Sequence, residues 1–234
     1  MGVSRAAGEV SAEHLRRGLP CAIGVGIRAV RTLDAVAPPL HAVEEAALGP
    51  RAIEQRRRIF ALGRAAARDA LAEFGIHNAA IPRADGGEPV WPDGFVGSIT
   101  HSREVAIAIV GRRDDYAGLG VDIEELARGP SPRAARLVCR PNEMAWVDPE
   151  SGTERLARLF SAKEAVFKAV YPIERVWLGF ADAELTWRED HQVFEAELLK
   201  SVGQRYPVGF VLSVNSVLGA TWVLSSAYVP APAE

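Results

Sequence analysis

The sequence predicts an α+β fold made of two similar α+β halves, at residues 1–115 and 116–234. Three observations carry that expectation. Residues 51–74 and 153–170 have helical composition and spacing, each is followed by runs of strand character, and Gly/Pro-rich turn chemistry separates those runs. No repeat is visible in the sequence itself, so the duplication rests on element order.

The elements follow in order. Residues 21–30 (CAIGVGIRAV) read as a strand, and 31–50 as a Pro-containing connection with a short acidic helical piece at Val43–Ala47. In 51–74, Ile59, Leu62, Ala66, Ala70 and Leu71 recur near helical spacing, and Gly75 supplies a C-cap. Asp85-Gly-Gly-Glu-Pro and Trp91-Pro-Asp-Gly are turns. Phe95–Thr100 and Val105–Val110 then read as paired strands around a polar His101-Ser-Arg-Glu segment, and 117–123 as a further strand. The stretch 128–150, with Pro130, Pro132, Pro141 and Pro149, is expected to be irregular, with a short helix near Ala134–Val138. Beyond the 153–170 helix, strands are predicted at 176–187, 192–199, 206–215 and 219–228.

Composition narrows the class. The 234 residues are 48% hydrophobic and 24% charged, ordinary for a globular protein with ample core. A net charge of −3 argues against a nucleic-acid binder. From Arg51 to Arg68, however, six Arg (51, 56, 57, 58, 64 and 68) face one acid, Glu54. That patch suits an anionic ligand or partner, or is a solvated helix face. Cys21 and Cys139 are too few for a disulfide framework or a zinc site, and Pro20, Gly24 and Gly26 break a Leu19–Val30 run too short to span a bilayer. A cytoplasmic location and no membrane contact are expected.

Chemistry concentrates in two stretches about forty residues apart. In Gly120-Val-Asp-Ile-Glu124, Asp122 and Glu124 stand at i and i+2 of an apolar run, on one face of a strand. In Phe160-Ser-Ala-Lys-Glu-Ala-Val-Phe-Lys168, Glu164 and Lys168 lie one helical turn apart. Three carboxylates suit a hard divalent cation such as Mg²⁺, which takes one or two carboxylates plus substrate phosphates, and a nearby Lys suits a phosphate. The pattern reads as a phosphoryl-transfer site. Lys163 falls inside the apolar arc formed by Leu156, Leu159, Phe160, Val166, Phe167 and Val170. There it must snorkel to solvent or meet an anion, for which a phosphate at the core's edge is one choice.

These two stretches resemble the paired signatures of the phosphopantetheinyl transferase superfamily, most closely its monomeric surfactin- and enterobactin-type members. Arg56, Phe60, Gly63-Arg64 and Arg68 resemble the family's Arg-rich helix. Gly87-Glu-Pro-Val-Trp-Pro-Asp-Gly94 followed by Gly97-Ser-Ile-Thr-His101 resembles its loop and strand leading to a histidine, and Trp177-Leu-Gly-Phe180 a later block. The chain departs from relatives that carry serine-histidine-cysteine or serine-histidine-serine, having Thr100-His101-Ser102, which keeps the hydroxyl.

The resemblance implies an intramolecular pseudo-dimer, hence a monomer. It implies transfer of 4′-phosphopantetheine from coenzyme A to a serine of an acyl or peptidyl carrier protein, releasing adenosine 3′,5′-bisphosphate. Asp122, Glu124 and Glu164 would surround Mg²⁺ on the pyrophosphate, with Glu164 also the general base. Lys163 and Lys168 would contact phosphates, and Lys168 would stabilise developing charge. Asp122, Arg56, Arg64, Arg83, Thr100 and His101 would hold coenzyme A, the Arg and His residues on its adenine side. Taken singly, His101 also reads as a hydrogen-bonded structural histidine and Arg64 as an exposed helix residue. A basic or apolar surface near the Arg-rich helix, Arg57 and Arg58 included, and near 128–150 is expected to receive the carrier. A coenzyme A-binding protein without catalysis and a Mg²⁺-dependent phosphohydrolase remain as alternatives. Ser98 lacks the nucleophile elbow of a hydrolase.

Overall fold

The computed structural model describes residues 10–17, 19–20, 22–29, 38–49, 52–103, 105–147 and 152–232. Cys21, Val30, Arg51, Glu104, Pro149 and the 31–37 part of the first connection, all read above, lie outside this set. Two antiparallel sheets are present. The first has order β1-β3-β2, from β1 (Gly24–Ala29), β2 (Phe95–His101) and β3 (Val105–Arg112). The second has order β4-β8-β7-β6-β5, from β4 (Tyr116–Glu125), β5 (Ala183–Arg188), β6 (Val193–Leu198), β7 (Val211–Leu218) and β8 (Trp222–Pro230). Short helices α1 (Ala12–Arg16) and α2 (Ala42–Ala46) precede α3 (Glu54–Ala72). Helices α4 (Ala135–Val138), α5 (Pro141–Trp146) and α6 (Gly152–Glu174) lie between β4 and β5.

Each long helix packs against a Gly-x-Gly strand, and small residues make the approach possible. A Cβ on Gly26 would lie 1.8 Å from the Ala66 carbonyl oxygen, and one on Gly24 2.5 Å from that of Ala70. In the second half, a Cβ on Gly120 would lie 1.9 Å from the Ala165 oxygen, and one on Gly118 1.9 Å from that of Ala169. Only glycine fits such contacts, because any side chain would strike helix backbone that cannot move aside. The two halves thus share one crossing, β1 on α3 and β4 on α6, with partners in the same order.

A second shared device anchors the short helices. Fully buried Glu44 of α2 accepts hydrogen bonds from His41 N (2.9 Å), Ile81 N (2.8 Å) and Arg68 Nη1 of α3 (2.9 Å). Buried Glu143 of α5 accepts from Arg140 N (2.6 Å) and Leu185 N (2.7 Å) and pairs with Lys163 of α6 (2.7 Å). Each carboxylate satisfies a helix start and a distant backbone N–H while pairing with a long-helix cation.

The strand predicted at 176–187 is confined to 183–188, behind a 3₁₀ turn at Phe180–Asp182. The reason is Lys163, whose ammonium donates to the carbonyls of Phe180 (2.7 Å) and Ala183 (3.0 Å) and so diverts the chain from a ladder. The 206–215 strand starts at Val211, since Pro207 and Gly209 (φ +87°) form a turn, and the last strand starts at Trp222. Helix α5, in a stretch expected to be irregular, begins with Pro141 at its first turn. Among the described residues no helix is long and apolar enough to cross a membrane.

Candidate active site

The facing edges of the two sheets, β2 and β4, meet beneath α6, and the candidate residues gather there. Asp122 is 4% exposed on β4. Its Oδ1 accepts from Lys168 Nζ of α6 (2.6 Å) and from Thr100 Oγ1 of β2 (3.3 Å). Lys168 Nζ also donates to Val121 O (3.2 Å) and Thr100 Oγ1 (3.4 Å). The Oδ2 atom of Asp122 is buried and has no hydrogen-bond partner in the protein. A buried carboxylate oxygen left so is costly unless something cationic or proton-donating meets it.

Glu124 and Glu164 share the same field. Burial first, then the Asp122 carboxylate, raises the Glu124 pKa to about 7. Burial likewise pushes Glu164 up, with Lys168 opposing and Asp122 adding to the rise. Among the described residues, however, no three acidic, His or Cys side chains converge as a finished metal-ligand set. Lys168, at 2.6 Å from Asp122, supplies the positive charge at the point where three cation ligands were expected. The residues fit a cation that takes one or two carboxylates and completes its shell with phosphate oxygens. An orphaned Asp122 oxygen and a half-buried glutamate with raised pKa are the features such a cation relieves.

To one side lies a cavity of about 530 Å³ lined by Arg56, Phe60, Arg64, Arg83, Gly87 and His101 among others. Four of the residues named from the sequence are thereby brought together. Arg64 is buried, not exposed: its Nε donates to Ile81 O (2.9 Å) and its guanidinium lies 3.9 Å from the Phe60 ring centroid. Burial lowers its pKa to about 10, which leaves it charged near neutrality. Burial and then Lys168 hold His101 below the usual imidazole range, which favours its neutral form. Thr100 is not at this wall; it is buried on Asp122 and Lys168.

Glu164 of the cluster also lines a second cavity, of about 310 Å³, together with Phe167, Trp177, Leu178 and Phe180 among others. Trp177 is two-thirds exposed and stacks edge-on against Phe167 (4.9 Å). The sequence named Trp177 and Phe180 only within a matching block, because the path of 180–183 rests on hydrogen bonds from Lys163 that periodicity does not reveal.

Lys163 corrects the expectation of a phosphate contact. Its side chain is 2% exposed, and Glu143 and the carbonyls of Phe180 and Ala183 take its ammonium. The anion demanded by its place in the apolar arc is a carboxylate of the same chain. Glu143 was missed from sequence, although Pro141 and Glu143 carry the signature of a capped helix start.

A family model for the 4′-phosphopantetheinyl transferase N-terminal domain matches residues 44–111, and that for the 4′-phosphopantetheinyl transferase superfamily matches 118–213. The chain is 39% identical over 200 residues to the 4′-phosphopantetheinyl transferase Svp of Streptomyces mobaraensis, covering 81% of this chain and 79% of that protein. It is 40% identical over 157 residues to PptT of Mycobacterium tuberculosis, spanning 63% of this chain and 65% of the relative's own length. Enterobactin synthase component D of Salmonella typhi is 37% identical over 129 residues, 53% of this chain and 52% of that protein. Fold and site define a two-sheet α+β protein with an acid–lysine cluster at the seam between the sheets. The chain belongs to the 4′-phosphopantetheinyl transferase superfamily, a family of enzymes.

Proposed function

We propose that this protein transfers 4′-phosphopantetheine from coenzyme A to the serine hydroxyl of an acyl or peptidyl carrier protein. The observation that carries the reading is the order of three environments. An Arg- and His-lined cavity, an acid–lysine cluster and an apolar cavity follow one another, as the adenosine 3′-phosphate, pyrophosphate and pantetheine arm do in coenzyme A.

In this reading Arg56, Arg64, Arg83 and His101 bind the nucleotide phosphates, and a 3′-phosphate beside His101 favours its charged form. Asp122, Glu124 and Glu164 would hold Mg²⁺, which when bound neutralises pyrophosphate oxygens. Glu164, its pKa raised by burial, takes the serine proton near neutral pH. The serine oxygen bonds to the β-phosphorus, the β-phosphorus–oxygen bridge to the α-phosphate breaks, and adenosine 3′,5′-bisphosphate leaves. Lys168 faces the charge that accumulates on the phosphates. A monomer acting in the cytoplasm fits a site formed within one chain.

The carrier's approach is favoured by α4, which packs on the 180–182 turn and presents Leu137, 78% exposed, beside the exposed Arg133 and Arg136. Arg57 is less available than expected, since its Nε and Nη2 donate to Ala52 O and Gly49 O. The test is incubation with coenzyme A, Mg²⁺ and apo carrier, read by mass spectrometry. A carrier heavier by one phosphopantetheine is the expected result. Coenzyme A binding without carrier modification, or carrier-independent cleavage of its pyrophosphate, would replace the reading by a binding protein or a phosphohydrolase.

A further inference from the structure

Between β2 and β4 there is no backbone ladder, since each is an edge strand of its own sheet. Side-chain oxygens bridge them instead. Ser98 Oγ accepts from Val121 N (3.1 Å), Thr100 Oγ1 from Ile123 N (3.3 Å), and further along Glu125 Oε1 from Arg103 N (2.9 Å). The hydroxyls stand two residues apart on one strand and the amides two apart on the other, so the strands run in parallel with a defined offset.

Thr100 also touches Asp122 and Lys168, whereas the Ser98 hydroxyl meets the Val121 amide. Ser98 is 4% exposed and the bond is buried, so removing the hydroxyl leaves an amide that water reaches poorly. The offset matters because β2 ends in His101, at the basic cavity, while β4 carries Asp122 and Glu124. Sliding one strand changes the spacing between the groups that grip neighbouring phosphates of one ligand.

We infer that Ser98 is a positioning residue that locks β2 to β4 and thereby couples anion binding at His101 to cation binding at the β4 carboxylates. The inference rests on the coenzyme A reading above. Besides the ligand itself, the two sites share the β2–β4 register, and the Ser98 hydroxyl is the bridge in that register outside the acid–lysine cluster.

The test is calorimetric titration of coenzyme A with and without Mg²⁺ on the wild type, Ser98→Ala, Ser98→Cys and Ser98→Thr. In the wild type Mg²⁺ should tighten coenzyme A. In Ser98→Ala that gain should fall by at least about fivefold, while Mg²⁺-free affinity, which the basic cavity supplies, moves by less than about twofold. Ser98→Cys keeps the size but weakens the acceptor, and carries the same expectation should the alanine variant not fold. Ser98→Thr keeps the acceptor and should retain the gain. In turnover, kcat should fall more than KM for coenzyme A in the alanine and cysteine variants. An undiminished Mg²⁺ gain in either of those two overturns the positioning role. A wild type that does not bind coenzyme A overturns the functional reading itself, and this inference with it.

Discussion

Glu124 carries a charge at neutral pH only against resistance. Burial and the neighbouring Asp122 raise its pKa from 4.5 to about 7. A folded-state pKa above the unfolded value stabilises the fold below the unfolded pKa, and that contribution is lost as pH rises through the folded pKa. Without a divalent cation, the melting temperature should therefore decline between about pH 4.5 and 7 more steeply in the wild type than in Glu124→Gln. Mg²⁺ should recover the loss at pH 8 in the wild type and recover less in the variant. Identical pH profiles for the two proteins would mean that Glu124 does not feel this crowding. His101 obeys the opposite sign: held low by burial and Lys168, it gains a proton only when an anion arrives. Coenzyme A should thus bind with proton uptake near pH 7, seen as a buffer-dependent binding enthalpy, and His101→Ala should reduce that dependence, leaving the part that Glu124 contributes.

Among the elements, the α5–α6 tie and the glycine crossings have distinct energetic signatures. Lys163→Met leaves the Glu143 carboxylate buried without its cation, and should cost about 3–5 kcal/mol in urea unfolding. The double variant Glu143→Gln/Lys163→Met removes both charges and should recover a large part of that loss; equal costs for single and double variants would refute an ion-pair origin. Gly120→Ala should be at least as damaging, because its methyl would meet the Ala165 carbonyl. Helix α6 and strands β2 to β4 were legible in the sequence because long periodic segments repeat one pattern many times. The carboxylates at 122 and 124 were legible for the same reason, as period two puts them on one face. Six-residue α5 is too short for periodicity to register. The 176–182 segment was misread because its fate depends on Lys163, a residue far away in sequence whose carbonyl acceptors only the folded chain reveals.

At the scale of the whole molecule, the two helix–strand crossings match in glycine placement and differ in charge. Arg28 of β1 pairs with Asp69 of α3 at 2.6 Å; four residues past Gly118, Asp122 pairs with Lys168 of α6 at the same distance. The positions correspond, since Arg28 stands four residues past Gly24, and Asp69 and Lys168 each precede the alanine that meets the first glycine. The signs are inverted, so this pair of positions carries no sequence similarity between the halves. In the first half the acid sits on the helix and the cation on the strand, so β1 offers no carboxylate at the place where β4 offers Asp122. Of the two corresponding strands only β4 offers this carboxylate, and in the proposed reaction the carrier delivers its serine to that side. The proposed docking surface is α4, with exposed Leu137 next to Arg136 and one turn from Arg133, packed on the turn that holds Phe180 at the cavity beside Glu164. An acidic helix with an apolar residue complements it in charge and in burial. Leu137→Asp and Arg136→Glu should each raise KM for the carrier by about fivefold to fiftyfold, with kcat within about twofold and coenzyme A affinity unchanged. Higher salt should weaken the wild type toward Arg136→Glu and leave Leu137→Asp comparatively unmoved, because screening acts on the charge and not on the apolar contact. Unchanged carrier KM in both variants would move the docking surface elsewhere, with the Arg57–Arg58 end of α3 the next place to reverse charge.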